Sequence, residues 1–148
     1  MPPLKFHVCE TTVGHVGIAL SEKGLRGTTL PRPTRAEALR DINEVGAVEP
    51  ASPVGLGDLP ARIAAVAAGR ESPAGIPLDL DGLTPFRRAV LEEAMRIPAG
   101  ETRSYGWLVQ RVGKPGAARA VGRVMATNPL PLVVPCHRVI GSDGGLHG

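Results

Sequence analysis

Glycine and proline take 19 and 15 of the 148 positions, and their placement cuts the chain into short elements joined by sharp turns. Proline fixes φ and donates no hydrogen bond, and glycine opens turn conformations, so clusters of them end strands and helices. The first stretch reads as strands over Lys5–Glu10, His15–Leu20 and Gly24–Leu30, with Ser21-Glu22-Lys23-Gly24 as a hairpin turn. That predicts an antiparallel meander of three strands, ended by Pro31-Arg32-Pro33. Thr34 with Glu37 three residues later is a capping box, so a helix starts there and runs to about Ile42. Glu44–Pro60 reads as loop. A second helix follows with Leu59, Ile63, Val66 and Ala67 on one face and Gly69 just past its end. Ile76–Leu80 reads as a short extended segment.

The second half changes character. Thr84-Pro85 is an N-cap followed by proline at the first helical position. Phe86, Val90, Leu91 and Met95 form the apolar face of the helix it starts. Pro98-Ala99-Gly100 turns the chain. Ser104 caps a helix from Tyr105 to Val112, Gly113 closes it, Lys114-Pro115-Gly116 makes a tight corner, and a third helix runs from Ala117 to Thr127. Helix, short glycine-containing turn, helix is the helix-turn-helix pattern. It lies in the basic half. Residues 84–148 carry nine Lys/Arg against four acids, whereas residues 1–83 carry eight against ten. Charge alone fits either a polyanion surface on one side of the molecule or a solvated basic face with no partner. No apolar run approaches the roughly 18 residues of a membrane span, and the N-terminal residues have no apolar core of a signal peptide. With only two cysteines, Cys9 and Cys136, in unlike contexts, a cytoplasmic chain with free thiols is expected.

Chemistry concentrates in Asn128-Pro129-Leu130-Pro131-Leu132-Val133-Val134-Pro135-Cys136-His137-Arg138-Val139-Ile140. Three prolines hold this segment extended, and Val133, Val134, Val139 and Ile140 would bury it. An imidazole and a guanidinium beside Cys136 would favour the thiolate, the reactive form of a cysteine. A lone cysteine is more often a buried structural residue, and adjacent strand side chains point to opposite faces, so His137 would need a water or a twist to reach the sulfur. His7, Cys9 and His15 lack the paired spacing of a zinc site, so neither metal nor cofactor is expected.

Pro135-Cys136-His137-Arg138-Val139, preceded by Asn128-Pro129, resembles the active-site signature of the O6-alkylguanine-DNA alkyltransferases, the methylated-DNA–protein-cysteine methyltransferases. Ser104-Tyr105, Ala118-Arg119-Ala120-Val121-Gly122 and Met125 fall where that family has its helix-turn-helix residues, and the N-terminal meander is similar to the family's small ribonuclease-H-like domain. The resemblance implies an α+β protein. A ribonuclease-H-like antiparallel sheet domain over residues 1–82 would be followed by a mostly helical, winged-helix-like domain over residues 83–148. It implies a monomer acting on double-stranded DNA that contains O6-alkylguanine, with no membrane partner. The target base must leave the stack before its O6 can be reached. By the same resemblance Cys136 is the alkyl acceptor, His137 deprotonates it through a water, and Asn128 braces the segment that bears it. Tyr105 helps rotate the nucleotide and Arg119 fills the vacancy. Ala118 and Gly122 allow close approach to the minor groove, Arg123 adds a DNA contact, and Met125 and Val139 line the substrate pocket with Tyr105.

Family members continue past Ser142-Asp143-Gly144-Gly145-Leu146-His147-Gly148 into a loop that closes the pocket and a helix whose glutamate orients the histidine. The expectation is a chain whose last loop and helix are absent, impaired in transfer through His137 while still binding DNA. Two other readings stand beside alkyl transfer. A non-catalytic binder of alkylated DNA is disfavoured by the presence of Cys136. A cysteine hydrolase lacks a third residue in register and leaves the basic helices unexplained.

Overall fold

The expected meander forms as β1 (Lys5–Thr11), β2 (Gly14–Ser21) and β3 (Gly24–Thr28), in a computed structural model that describes residues 3–98, 101–113, 118–134 and 139–140. β1 and β2 pair antiparallel with Phe6 opposite Ala19 and Cys9 opposite Val16. A fourth strand, β4 (Glu49–Pro50), pairs in parallel with the start of β1. The sheet order is therefore β3-β2-β1-β4, and the sheet is mixed rather than purely antiparallel. β4 lies within Glu44–Pro60, which reads as loop from the sequence, and a short 3₁₀ turn over Pro53–Leu56 lies there too. A two-residue strand carries no alternation to detect, and an edge position tolerates Pro50. Pairing also reaches into Pro31-Arg32-Pro33. Arg32, the one residue of the three with an amide hydrogen, donates to the His15 carbonyl at 2.8 Å and accepts from the His15 amide at 2.7 Å.

Helix α1 (Arg35–Glu44) starts at Thr34, whose hydroxyl accepts from the Glu37 amide at 3.2 Å. α1 packs on β2 so closely that a Cβ on Gly17 would stand 2.8 Å from the Ile42 Cβ and 3.0 Å from the Ala38 carbonyl oxygen. Only glycine fits at that crossing. Ile42, Ala19 and Ala47 are fully buried there, with Phe6 and Leu39 packed against them. Alternation along the strands sends Cys9, Val16 and Ile18 to the opposite face, and these too are buried. Helix α2 (Leu59–Ala67) packs on β1 with Ile63 buried, and Gly69 follows in the left-handed region at φ +74°.

The chain divides into two compact units. One comprises the described residues up to Asp79 together with Pro129–Leu132; the other comprises those from Leu80 to Asn128 and from Val133 onward. In the first unit, the expected extended segment near residue 78 bridges Leu78 to Leu25, and the Thr28 amide donates to the Pro129 carbonyl at 2.9 Å. The buried Asp79 carboxylate accepts from Ser21 Oγ at 2.5 Å and Arg26 Nη2 at 3.0 Å.

The second unit is built on α3 (Pro85–Ala94), α4 (Tyr105–Arg111) and α5 (Ala118–Ala126), each in contact with the other two. Val90, Leu91 and Ala94 of α3, Leu108 and Val109 of α4, and Val121, Val124 and Met125 of α5 are buried in it. Burying a side chain such as Leu91 or Leu108 contributes about 2–3 kcal/mol. Gly113 adopts φ +69° past the end of α4 and stops it. A parallel two-stranded ladder, β5 (Arg103–Ser104) with β6 (Val139–Ile140), completes the unit. Neither strand is read from the sequence, because two-residue strands leave no periodic trace. Among the described residues no helix is long and apolar enough to cross a membrane.

Candidate nucleic-acid interface and acceptor segment

Helix α5 has two faces. Val121, Val124 and Met125 turn inward and are buried, while Ala118, Arg119, Ala120 and Arg123 are exposed and Gly122 is half-buried. Residues four apart share a helix face, so Ala118 with Gly122, and Arg119 with Arg123, form adjacent stripes of small and basic residues. A Cβ on Gly122 would meet nothing within 4 Å. Among the described residues, packing therefore does not demand the glycine. Met125 lies on the core side of the helix and is 2% exposed.

Tyr105 is the first residue of α4 and half-buried. It is placed by Ser104, whose hydroxyl accepts from the Trp107 amide at 3.0 Å and whose backbone pairs with Ile140. Farther along α4 the single tryptophan, Trp107, has Arg103 and Arg111 over its ring, their Cζ atoms 5.6 and 5.7 Å from the centroid. Each contact is worth roughly 0.5–1 kcal/mol. The arginine–tryptophan–arginine spacing of four residues is the signal in the sequence that points to this stack. Both arginines are also ion-paired: Arg103 pairs with Glu101 at 2.8 Å, and Arg111 with Glu93 at 3.2 Å. Glu93 takes Arg96 as well, at 2.8 Å. Among the described residues neither Arg119 nor Arg123 pairs with an acid, so α5 carries uncompensated positive charge.

Asn128 follows α5, and its side-chain Nδ2 donates to the Val134 carbonyl at 3.0 Å. That bond spans the proline-rich turn and holds the backbone two residues ahead of Cys136. Five residues on from Val134, Val139 pairs with Arg103. The residues between, Cys136 and His137 included, lie outside the described residues, and of Val139 only the backbone pairing is described. The other thiol is described. Cys9 is 2% exposed, and burial pushes its pKa up to about 11. Near neutral pH it is a protonated, enclosed thiol. Among the described residues no three His, Cys, Asp or Glu side chains converge on a metal position.

This arrangement matches known proteins. A family model described as "6-O-methylguanine DNA methyltransferase, DNA binding domain" matches residues 85–148. The crystal structure of the Mycobacterium tuberculosis O6-methylguanine methyltransferase superposes with a TM-score of 0.73 at 33% identity, covering 98% of this chain and 83% of that one. The chain belongs to the O6-methylguanine DNA methyltransferase family. The enzyme of the archaeon Pyrococcus kodakaraensis superposes with a TM-score of 0.69 at 27% identity, over 97% of this chain and 90% of that one. A structure of M. tuberculosis OGT in complex with DNA matches at 33% identity, over 97% of this chain and 83% of that one, with a TM-score of 0.69. Among curated sequences, the methylated-DNA–protein-cysteine methyltransferase of Mycobacterium leprae is 52% identical over 81 residues, which is 55% of this chain and 48% of that protein. The match thus spans about half the length of that curated relative.

Proposed function

We propose that the chain repairs DNA by moving an alkyl group, methyl in the simplest case, from O6 of guanine in duplex DNA to the sulfur of Cys136. The observation that carries this reading is the Asn128–Val134 bond, which braces the chain two residues before Cys136 while Cys9 is buried and protonated. The thiolate attacks the saturated carbon, the S–C bond forms as the C–O6 bond breaks, and the departing guanine takes up a proton. The product is a stable thioether, so each molecule acts once and is formally a methyltransferase. No cofactor enters.

In this reading His137 takes the thiol proton through a water. Arg119, exposed beside Arg123 near the start of α5, enters the stack as the base leaves it, and Tyr105 guides the nucleotide. Ala118 and Gly122 let α5 approach the duplex closely. Met125 supports the pocket from the core, and Val139 offers it backbone. Helices α4 and α5 then act as the helix-turn-helix of a winged-helix-like domain over residues 83–148, beside a ribonuclease-H-like domain over residues 1–82. A monomer in the cytoplasm suffices for this chemistry.

Intact mass after incubation with duplex DNA carrying one O6-methylguanine tests the reading. The expected result is a gain of one CH₂ (about 14 Da), equal to the fraction of lesion removed, on the peptide that contains Cys136. Binding of the lesion with no gain in mass would assign the chain to non-catalytic recognition instead.

A further inference from the structure

Arg87, on the first turn of α3, reaches the end of α5. Its Nη2 donates to the Thr127 carbonyl at 3.3 Å and to the Thr127 hydroxyl at 3.2 Å. Its own backbone is held at the helix start, where the Arg87 amide donates to Thr84 Oγ1 at 3.2 Å. Among the described residues no carboxylate pairs with Arg87, and its Nε is buried without a partner. The guanidinium is thus placed against a helix C-terminus. The last carbonyls of a helix have no partner within it, and a cation there is favoured by the helix dipole. A charge-assisted bond to that carbonyl is among the stronger ones available to it.

Thr127 is one residue before Asn128. Its amide continues the helix by donating to the Arg123 carbonyl at 3.0 Å, and its hydroxyl donates to the same carbonyl at 2.8 Å. Asn128 then turns out of the helix and reaches the Val134 carbonyl. The bonds form a continuous path: Thr84 to Arg87, Arg87 to Thr127, Thr127 to Asn128 along the chain, and Asn128 to Val134. We infer that Arg87 is a positioning residue for the acceptor segment, fastening the end of α5 so that Asn128 holds the backbone ahead of Cys136. The inference rests on the alkyl-acceptor reading above, but its test does not depend on transfer alone. In this role Arg87 acts through Thr127 and Asn128 rather than on the thiol or the DNA itself.

The test compares the unaltered chain with Arg87→Gln, Arg87→Lys, Asn128→Ala and the double variant Arg87→Gln/Asn128→Ala. Two rates are read. One is transfer from free O6-benzylguanine, followed by intact mass. The other is carboxamidomethylation of Cys136 by iodoacetamide, followed by peptide mass, which requires the thiol but no transfer. Affinity for undamaged duplex and the thermal midpoint are measured alongside. Arg87→Gln is expected to slow transfer about tenfold and to change the iodoacetamide rate about threefold, because small displacements near a reacting group are costly. Duplex affinity should stay within about twofold, and Arg87→Lys should restore part of the rate, since a cation remains at the helix end. The double variant should be no slower than Asn128→Ala alone, because both substitutions break one path. A merely structural role predicts a lower thermal midpoint with both rates unchanged, or effects that multiply in the double variant; either result overturns the inference. If Arg87→Gln does not fold, Thr127→Val, which removes only the hydroxyl, takes its place in the cycle. If the unaltered chain accepts no alkyl group, the proposed function fails, and the iodoacetamide rates still decide the role of Arg87.

Discussion

Ser104 and Ile140 stand opposite each other in the parallel β5–β6 ladder, and the same Ser104 caps α4 with its hydroxyl. One residue therefore ties the strand that follows Cys136 and His137 in sequence to the helix that begins at Tyr105. The described residues on either side of Cys136 are each tied down, Val134 by Asn128 and Ile140 by Ser104. In the proposed reaction such anchoring would favour Cys136, because orientation supplies much of the rate of an in-line displacement.

The two thiols should separate by pH. Burial raises the pKa of Cys9 to about 11, so the native chain treated with iodoacetamide near pH 8 should label Cys136 and spare Cys9, as read by peptide mass. The same shift has a consequence for stability. The folded state keeps the Cys9 proton over a range in which the unfolded chain has lost it, so stability is full below about pH 9 and falls by up to about 3 kcal/mol as pH rises towards 11. Cys9→Ala should remove that alkaline slope, measured by urea denaturation at several pH values. A slope that persists in Cys9→Ala would assign the effect to another group.

Gly122→Ala should pull stability and function apart. The added methyl meets nothing within 4 Å, and alanine is the better helix former by about 1 kcal/mol, so the urea midpoint should rise. If α5 lies close against a duplex, the same methyl intrudes there and duplex affinity falls. Unchanged affinity would remove Gly122 from the interface.

Salt dependence should be modest. Of the five basic residues between 103 and 123, Arg103 and Arg111 already pair with Glu101 and Glu93. Arg119 and Arg123 pair with no acid among the described residues, and with Lys114, which lies outside them, the slope of log K against log salt should be about −2 to −3. Were all five on phosphates it would be about −4 to −5. Titrations of undamaged duplex between low and moderate salt distinguish the two.

Arg119→Ala should act on base extrusion rather than on the thiol. Extrusion costs a few kcal/mol, part of which a side chain in the vacancy offsets, so repair of duplex O6-methylguanine should slow by roughly tenfold or more. Transfer from free O6-benzylguanine, which needs no extrusion, should be nearly unchanged. Equal losses on both substrates would refute this role for Arg119.

Where an element carries its own chemical punctuation, it was legible from residues alone. Thr34, Thr84 and Ser104 each cap the helix expected of them, Gly69 and Gly113 each close one, and the three strands of the meander end within two residues of the expected positions. What escaped depends on partners distant in sequence. β4 exists because Glu49 and Pro50 meet Lys5 and Phe6, and β5 because Arg103 and Ser104 meet Val139 and Ile140. Charge was legible in amount but not in availability: nothing in the spacing of Arg111 shows that Glu93 pairs with it. In the same way Arg87 reads as one more basic residue until the end of α5 is seen beside it.

The bond from the Thr28 amide to the Pro129 carbonyl bears on how the chain is made. On the ribosome the first three strands emerge early and can pair at once, yet the partner of Thr28 is synthesised only after helices α1–α5. Until then that amide on the outer strand is unpaired and open to another nascent chain, the exposure through which slow-closing sheets aggregate. Substitutions that loosen the turn at Pro129–Leu132 should therefore lower the yield of soluble protein in cells more than they lower the stability of the finished molecule.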